Sequence, residues 1–315
     1  MKAIVFDRYG PPEVFKYRKV PQPRIKPNHL LIKMHATSVN PLDFRIRRGE
    51  LRIFTGIRKP RTKILGFDVA GEVVQTGENV KTFKKGNQVF AFMGLEGGAY
   101  AEYIVVPEQS VAIKPVNMSF EEAAAVPLAG LAALQALRDR GKISSGRNVL
   151  INGASGGVGT FAVQIAKSFG AVVTGVCSSK NIDLVKSLGA DEVTDYTKDD
   201  FTKHYQAYDI VFDVAAKKSF SDCKKALRPK GICITTVPNS GFIFQVFWTH
   251  LWSGKKATFI MVRPSGKDLN YIRELIEAGK VKSIIDKIFS LSEVAAAHAY
   301  CEAGHSRGKN IIRIS

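Results

Sequence analysis

The chain has 315 residues, more than one hydrophobic core usually organises, so its length predicts one large domain or two medium ones. Its composition, 45% hydrophobic and 23% charged, is that of a folded globular protein and excludes a disordered one. Against 28 Asp+Glu stand 46 Lys+Arg, a formal net charge of +18 that favours phosphorylated cofactors, nucleic acid or an acidic membrane surface.

Four cysteines, Cys177, Cys223, Cys233 and Cys301, form no CxxC pair, which argues against a disulfide framework and a cysteine zinc knuckle. The apolar run after Met1 is too short for a signal-peptide core, and the most apolar long window, 241–252, is about half a membrane span. The expected compartment is therefore cytoplasmic. Part of the basic excess crowds one early stretch: Arg45, Arg47, Arg48, Arg52, Arg58, Lys59, Arg61 and Lys63.

Residues 2–6, 29–36, 68–75, 88–92 and 100–106 are short β-like runs broken by Gly and Pro, which predicts a barrel-like β domain over 1–118. Ser119-Phe120-Glu121-Glu122 reads as a capping box opening an Ala-rich helix through Ala136. From Asn148 strands and helices alternate: strand 148–152, helix 157–169, strand 172–176, helix 182–188, strand 209–214, helix 220–227, strand 232–237. Such βαβ units predict a parallel, doubly wound α/β sheet of Rossmann type. An amphipathic helix, 269–278, and a β-like tail, 309–314, follow. The simplest arrangement is a β-rich domain split into 1–118 and 263–315, with a dinucleotide-type domain, 119–262, inserted.

The strongest single signal is Val149-Leu150-Ile151-Asn152-Gly153-Ala154-Ser155-Gly156-Gly157-Val158-Gly159, between a strand and a helix. Gly156 and Gly157 let the backbone approach a pyrophosphate, the helix N-terminus offers amides, and Gly159 allows tight helix–strand packing. Aligned this way, the first fingerprint glycine is replaced by Ala154. NAD binders place an acid about 20 residues further on. Here Val176-Cys177-Ser178-Ser179-Lys180-Asn181 holds none at the strand end. Two hydroxyls, Ser178 and Ser179, and the cation Lys180 suit a 2′-phosphate, so NADP(H) is expected.

Several motifs now occur in one order: Ser38-Val39-Asn40-Pro41-Leu42-Asp43, Gly66-Phe67-Asp68-Val69-Ala70-Gly71, Ala125-Val126-Pro127-Leu128-Ala129-Gly130-Leu131, the turn 153–159, Leu188-Gly189-Ala190-Asp191-Glu192 and Gly308-Lys309. The whole chain resembles the zinc-independent medium-chain dehydrogenase/reductases of the quinone oxidoreductase type, and Asn181 to Tyr196 is especially similar to plant enone reductases. The resemblance implies a GroES-like catalytic domain joined to a Rossmann domain, with NADP(H) in the cleft between them. It also implies a homodimer made by pairing the last Rossmann strands, here 258–262.

Residue by residue, the resemblance implies that Ser155, Gly156, Gly157 and Val158 cradle the pyrophosphate. Ser178, Ser179, Lys180 and Tyr196 hold the 2′-phosphate end. Arg45 touches the cofactor, Val237 ends a cofactor-floor strand, and Met261 and Lys309 run beside the nicotinamide half. Asn40 lies near the nicotinamide and is the candidate catalytic residue, a donor to an oxyanion or to the cofactor amide. Ala132 departs from the family, which often has Thr there, and removes a hydroxyl. Arg45 equally fits a solvated cluster and Lys309 the end of a strand. Asp43 and Asp68 read more readily as structural carboxylates than as active-site acids.

Zinc-dependent relatives carry Cys and His ligands where this chain has Asn40 and Asp68, and its six histidines are scattered, so no metal is expected. Without a metal to polarise a carbonyl, hydride delivery to a quinone or to the C=C bond of an α,β-unsaturated carbonyl is favoured over alcohol oxidation. No general acid stands out, which leaves the proton to solvent. Trp248 and Trp252, four apart in the apolar run 242–252, suit a core or dimer-interface helix, a lid over a hydrophobic substrate, or a peripheral membrane patch. A non-catalytic NADPH-binding protein that contacts RNA is the rival class; no nucleic-acid motif supports it.

Overall fold

The structure is a computed structural model that describes residues 1–237, 240–252, 254–304 and 306–314, with backbone alone at 240 and 250–252. Two compact units emerge: residues 1–128, 263–277 and 283–315, and residues 129–262 with 278–282. His305 and the side chains of His250 and Trp252 lie outside the described residues.

In the first unit β1 (Lys2–Val5) pairs antiparallel with β2 (Lys16–Lys19). The spine is β3 (His29–Val39), antiparallel to both β4 (Asp68–Thr76) and β6 (Tyr103–Pro107); β5 (Gln88–Phe92) joins β4 to β7 (Val111–Ile113). Alternate side chains of these strands, among them Leu30, Ile32, Met34, Val69, Val73, Val89 and Val106, make one buried cluster. Each contributes about 1.5–3 kcal/mol of burial. The expected strand 100–106 starts only at Tyr103; Tyr100 instead gives its amide to Leu65 and buries its ring.

The capping box at Ser119 is present, but the expected single helix is broken. Helix Phe120–Ala124 stops, Pro127 starts a second helix to Leu134, and Gln135–Arg140 widens into a π turn. Proline disfavours helical backbone in the residue before it, which accounts for the break.

The second unit is a parallel sheet of β8 (Asn148–Asn152), β9 (Val172–Cys177), β10 (Glu192–Asp195), β11 (Tyr208–Asp213), β12 (Leu227–Thr235) and β13 (Lys256–Phe259). Their order is β10-β9-β8-β11-β12-β13, the doubly wound arrangement that brings two strand ends apart at β8 and β11. The expected α/β class is therefore borne out. Two bounds differ: helix Phe220–Lys224 is short because β12 already begins at Leu227, and Val237 lies beyond the end of that strand.

The chain then returns to the first unit. Its β14 (Ile285–Ser290) lies parallel to β15 (Lys309–Arg313), and β15 pairs antiparallel with β3, placing Asn310 opposite Val39.

Candidate active site

In the second unit the chain leaves β8 through Gly153, whose φ of +87° is the left-handed region that glycine tolerates. The turn glycine thus stands one residue before Ala154, which is itself buried and gives its amide to Val176. Gly156 caps helix Gly157–Ser168 without a side-chain acceptor. Among the described residues the first-turn amides of residues 157–159 have no hydrogen-bond partner, and they stand at the positive end of the helix dipole. A Cβ on Gly159 would lie 2.1 Å from the Gly153 oxygen, while one on Gly156 would meet only that atom, at 3.4 Å. Gly159 is a packing residue, and the space over Gly156 is open to a ligand.

The turn rests on a polar base that the sequence reading did not single out. Asn152 donates its amide to Asp213 Oδ1 at 2.7 Å, and the Lys218 amide donates to Asp213 Oδ2 at 2.9 Å. Burial pushes the Asp213 carboxyl above its usual range, against those hydrogen bonds. Asn181 was missed as well. Its Nδ2 donates to Ser155 Oγ at 3.1 Å and to Ser178 Oγ at 3.3 Å, which ties the turn to the end of β9. Among the described residues Asn181 Oδ1 is buried with no hydrogen-bond partner.

Beyond β9 the expected site is partly rearranged. The neighbouring strand β10 places Asp195 opposite Cys177, so an acid does reach this strand end. Ser179 donates its hydroxyl to Asp195 Oδ2 at 2.5 Å, and the Thr197 amide and hydroxyl donate to Oδ1 at 3.0 and 2.8 Å. These bonds, that of Ser179 foremost, hold the Asp195 carboxyl below its usual range. Ser179 therefore spends its only proton on Asp195 in this structure. Ser178 is half-buried, and Lys180 and Tyr196 are exposed. Val237 and Met261 are exposed just past the ends of β12 and β13.

The first unit holds a buried network on Asn40, Asp43, Asp68 and Lys309. Asn40 and Asp43 form a capping box on helix Pro41–Arg48: Asp43 accepts the Asn40 amide at 2.9 Å and, on its other oxygen, the Gly66 amide at 2.8 Å. Burial, reinforced by the nearby Asp68 charge, lifts the Asp43 carboxyl to about 7 despite those amides and Lys309. Asp68 accepts from the Ser38 hydroxyl, from Asn40 Nδ2 at 2.8 Å and from the Leu128 amide at 2.7 Å. Lys309 Nζ donates to Asn40 Oδ1 and stands 3.7 Å from Asp68.

This geometry alters three expectations. Asn40 is 1% exposed; Nδ2 commits one proton to Asp68 and holds the other only loosely toward Ser38 Oγ, 3.4 Å from the nitrogen. Lys309 is the cation of a buried network rather than a side chain free for a cofactor. Arg45 is paired with Glu50 at 2.9 Å.

Nearby in the same unit Tyr100 OH and His298 Nε2 share a hydrogen bond of 3.0 Å, both residues fully buried. Burial, with the charge of Arg47 second, lowers the His298 imidazole to about 3. Burial first, and then the Asp43 charge, push the Tyr100 phenol up.

A zinc ion does not fit these residues. The ammonium of Lys309 already stands against the oxygens of Asn40 and Asp68, and among the described residues no group of three or more His, Cys, Asp or Glu could hold a metal.

Residues 26–116 match the family model described as alcohol dehydrogenase GroES-like domain, and residues 188–312 match that described as zinc-binding dehydrogenase. The chloroplast envelope quinone oxidoreductase homolog of Arabidopsis thaliana is 38% identical over 99% of this chain and 98% of its own length. The 2-methylene-furan-3-one reductase of Solanum lycopersicum is 36% identical over 99% of this chain and 79% of its own. Among solved structures, the quinone oxidoreductase from Coxiella burnetii superposes with a TM-score of 0.88 at 32% identity, covering 100% of this chain and 99% of that one. Other matched relatives are named as mitochondrial NAD(P)H oxidoreductases. The cytoplasmic expectation is overturned by these matches, whose names place the relatives in chloroplasts or mitochondria.

Proposed function

The chain belongs to the zinc-independent medium-chain dehydrogenase/reductases of the quinone oxidoreductase type, and on that premise we propose that it reduces small hydrophobic quinones or the C=C bond of α,β-unsaturated carbonyls with NADPH. The observation that carries this reading is the open amide turn at residues 157–159, followed at the end of β9 by Ser178 and Lys180. When bound, the nicotinamide supplies the hydride. The amides of residues 157–159 orient the pyrophosphate, and Ser155 and Asn181, whose Oδ1 lacks a partner, face the ribose side. Lys180 and Ser178, with Tyr196 beside them, hold the 2′-phosphate; Val237 and Met261 lie along the cofactor floor. The β-rich unit, 1–128 with 263–277 and 283–315, serves as the catalytic domain and 129–262 with 278–282 as the NADP-binding domain, so the expected boundaries at 118/119 and 262/263 shift at the first junction and residues 278–282 pass to the second unit. In the former, Lys309 pulls on Asn40 Oδ1 and so strengthens the loosely held amide proton as a donor to developing negative charge.

The test is NADPH oxidation with 9,10-phenanthrenequinone and with a short enone. No turnover on either, with NADPH binding intact, overturns the proposal. Replacing Lys180 with Ala removes one charge-assisted contact and is expected to raise KM for NADPH by about ten- to a hundredfold. KM for NADH stays unchanged; an equal rise for both cofactors would remove the 2′-phosphate assignment.

We further propose a homodimer built on β13, which among the described residues pairs with β12 alone. An open strand edge invites a second copy. Helix Ser240–Trp252, whose Thr249 hydroxyl accepts the Ala257 amide of β13, exposes Ile243, Phe244, Phe247 and Trp248 alongside it. Light scattering is expected to give twice the chain mass of 34.6 kDa, and Phe247→Glu to shift it toward the monomer. A wild-type monomer at micromolar concentration excludes the dimer.

A further inference from the structure

The basic stretch after helix Pro41–Arg48 is not uniformly solvated charge. Arg45 and Arg48 are paired with Glu50 and Glu302, and Lys63 reaches Asp7. Among the described residues no carboxylate lies within ion-pair distance of Arg52, Arg58, Lys59 or Arg61, and all four are exposed. Between them three large apolar side chains stand in solvent: Ile53 at 83% exposure, Phe54 at 70% and Ile57 at 76%.

This presentation is built. Thr55 and Pro60 are buried. The Thr55 hydroxyl donates to the Leu51 oxygen at 3.0 Å, the Tyr9 hydroxyl donates to the Gly56 oxygen at 2.6 Å, and the Arg61 amide donates to the Thr55 oxygen at 2.8 Å. Gly56, at φ +121°, closes the turn; a Cβ there would strike the Lys59 oxygen at 2.2 Å. The loop is thus pinned from beneath while its apolar residues face outward.

We propose that residues 52–61 form a docking surface for an anionic phospholipid bilayer: Ile53, Phe54 and Ile57 enter the acyl boundary, and Arg52, Arg58, Lys59 and Arg61 meet the headgroup phosphates. Apolar side chains ringed by cations are the chemistry of an interfacial anchor. A single-stranded nucleic acid needs aromatic platforms for stacking, and two of the three apolar residues are isoleucines. The contact is peripheral, because no helix among the described residues is long and apolar enough to cross a membrane.

The test is flotation with vesicles of phosphatidylcholine alone or with one-third phosphatidylglycerol. The full chain is expected to float with the anionic vesicles only. The triple variant Ile53→Ser, Phe54→Ser, Ile57→Ser should bind at least tenfold more weakly, the residue of binding disappearing at physiological salt. Arg58→Ala, Lys59→Ala, Arg61→Ala together should lower partitioning by about a hundredfold. Ile53→Leu with Ile57→Leu should retain it, which separates lost apolar contact from misfolding. Binding unchanged in the serine variant overturns the proposal. So does an RNA oligonucleotide, or a second copy of the chain, whose binding is lost with the same three residues. A fall in NADPH turnover without a fall in vesicle binding makes the loop a substrate lid and overturns it too. Turnover without vesicles is measured in parallel, so absence of enzyme activity bears on the proposed function and leaves the vesicle result standing.

Discussion

Replacing Asp68 with alanine is expected to destabilise the β-rich unit by about 3–5 kcal/mol. The carboxylate is fully buried and answers four groups at once: the Ser38 hydroxyl, Asn40 Nδ2, the Leu128 amide and the ammonium of Lys309. Its removal leaves Lys309, 4% exposed, as an uncompensated buried cation and orphans three donors. Lys309→Met should cost a similar amount, since it strands Asp68. The paired replacement Asp68→Ala with Lys309→Met should cost clearly less than the sum, because no charge is then left alone. Urea unfolding of the four proteins measures the cycle. A loss below about 1 kcal/mol for Asp68→Ala would falsify the network as a support of the fold.

The second large effect is on the pH dependence of stability. Asp43 has its carboxyl raised from 3.8 to about 7, so the native state holds its proton more tightly than the unfolded chain. Its contribution is fully present below pH 3.8 and is lost as pH rises through 7, about 4 kcal/mol in all. His298 has the opposite sign. Its imidazole falls from 6.5 to about 3, so its stability is present above pH 6.5 and is lost as pH falls toward 3, about 5 kcal/mol. Between pH 3.8 and 6.5 the two slopes oppose, and the wild-type profile should be nearly flat there. Asp43→Asn is expected to uncover the histidine limb, with stability climbing steadily from pH 3 to 6.5. His298→Gln should uncover the other limb, with stability falling from about pH 4 to 7. Denaturation midpoints across this range measure both. Parallel profiles for wild type and Asp43→Asn would show that Asp43 does not titrate in the native state.

Much of this architecture can be read from local pattern. Strand β8, the glycine turn and the Ser119 capping box each lie within a dozen contiguous residues and obey short-range rules of hydrogen bonding and backbone freedom. The family motifs supplied the rest of the fold class. What escaped are contacts between residues far apart. Asp195 reaches Ser179 only because β10 lines up with β9, and no spacing rule reveals that alignment. Asn40 was legible as a polar residue near the chemistry, but its commitment to Asp68 and Lys309 depends on β3, β4 and β15 meeting in one sheet. The break before Pro127 was visible in the sequence, and the strong alanine run masked it.

The position of β15 has a consequence for how the chain is made. The second unit's sheet is complete once Phe259 has emerged from the ribosome. The first unit cannot close β3 with β15, or give Asn40 its lysine, until 269 residues after Asn40 have been added. At roughly 5–20 residues per second that delay is on the order of tens of seconds. During it the nascent amino-terminal segment carries a buried-type carboxylate without its cation and a strand edge without its partner, so the unit begun first is the one completed last.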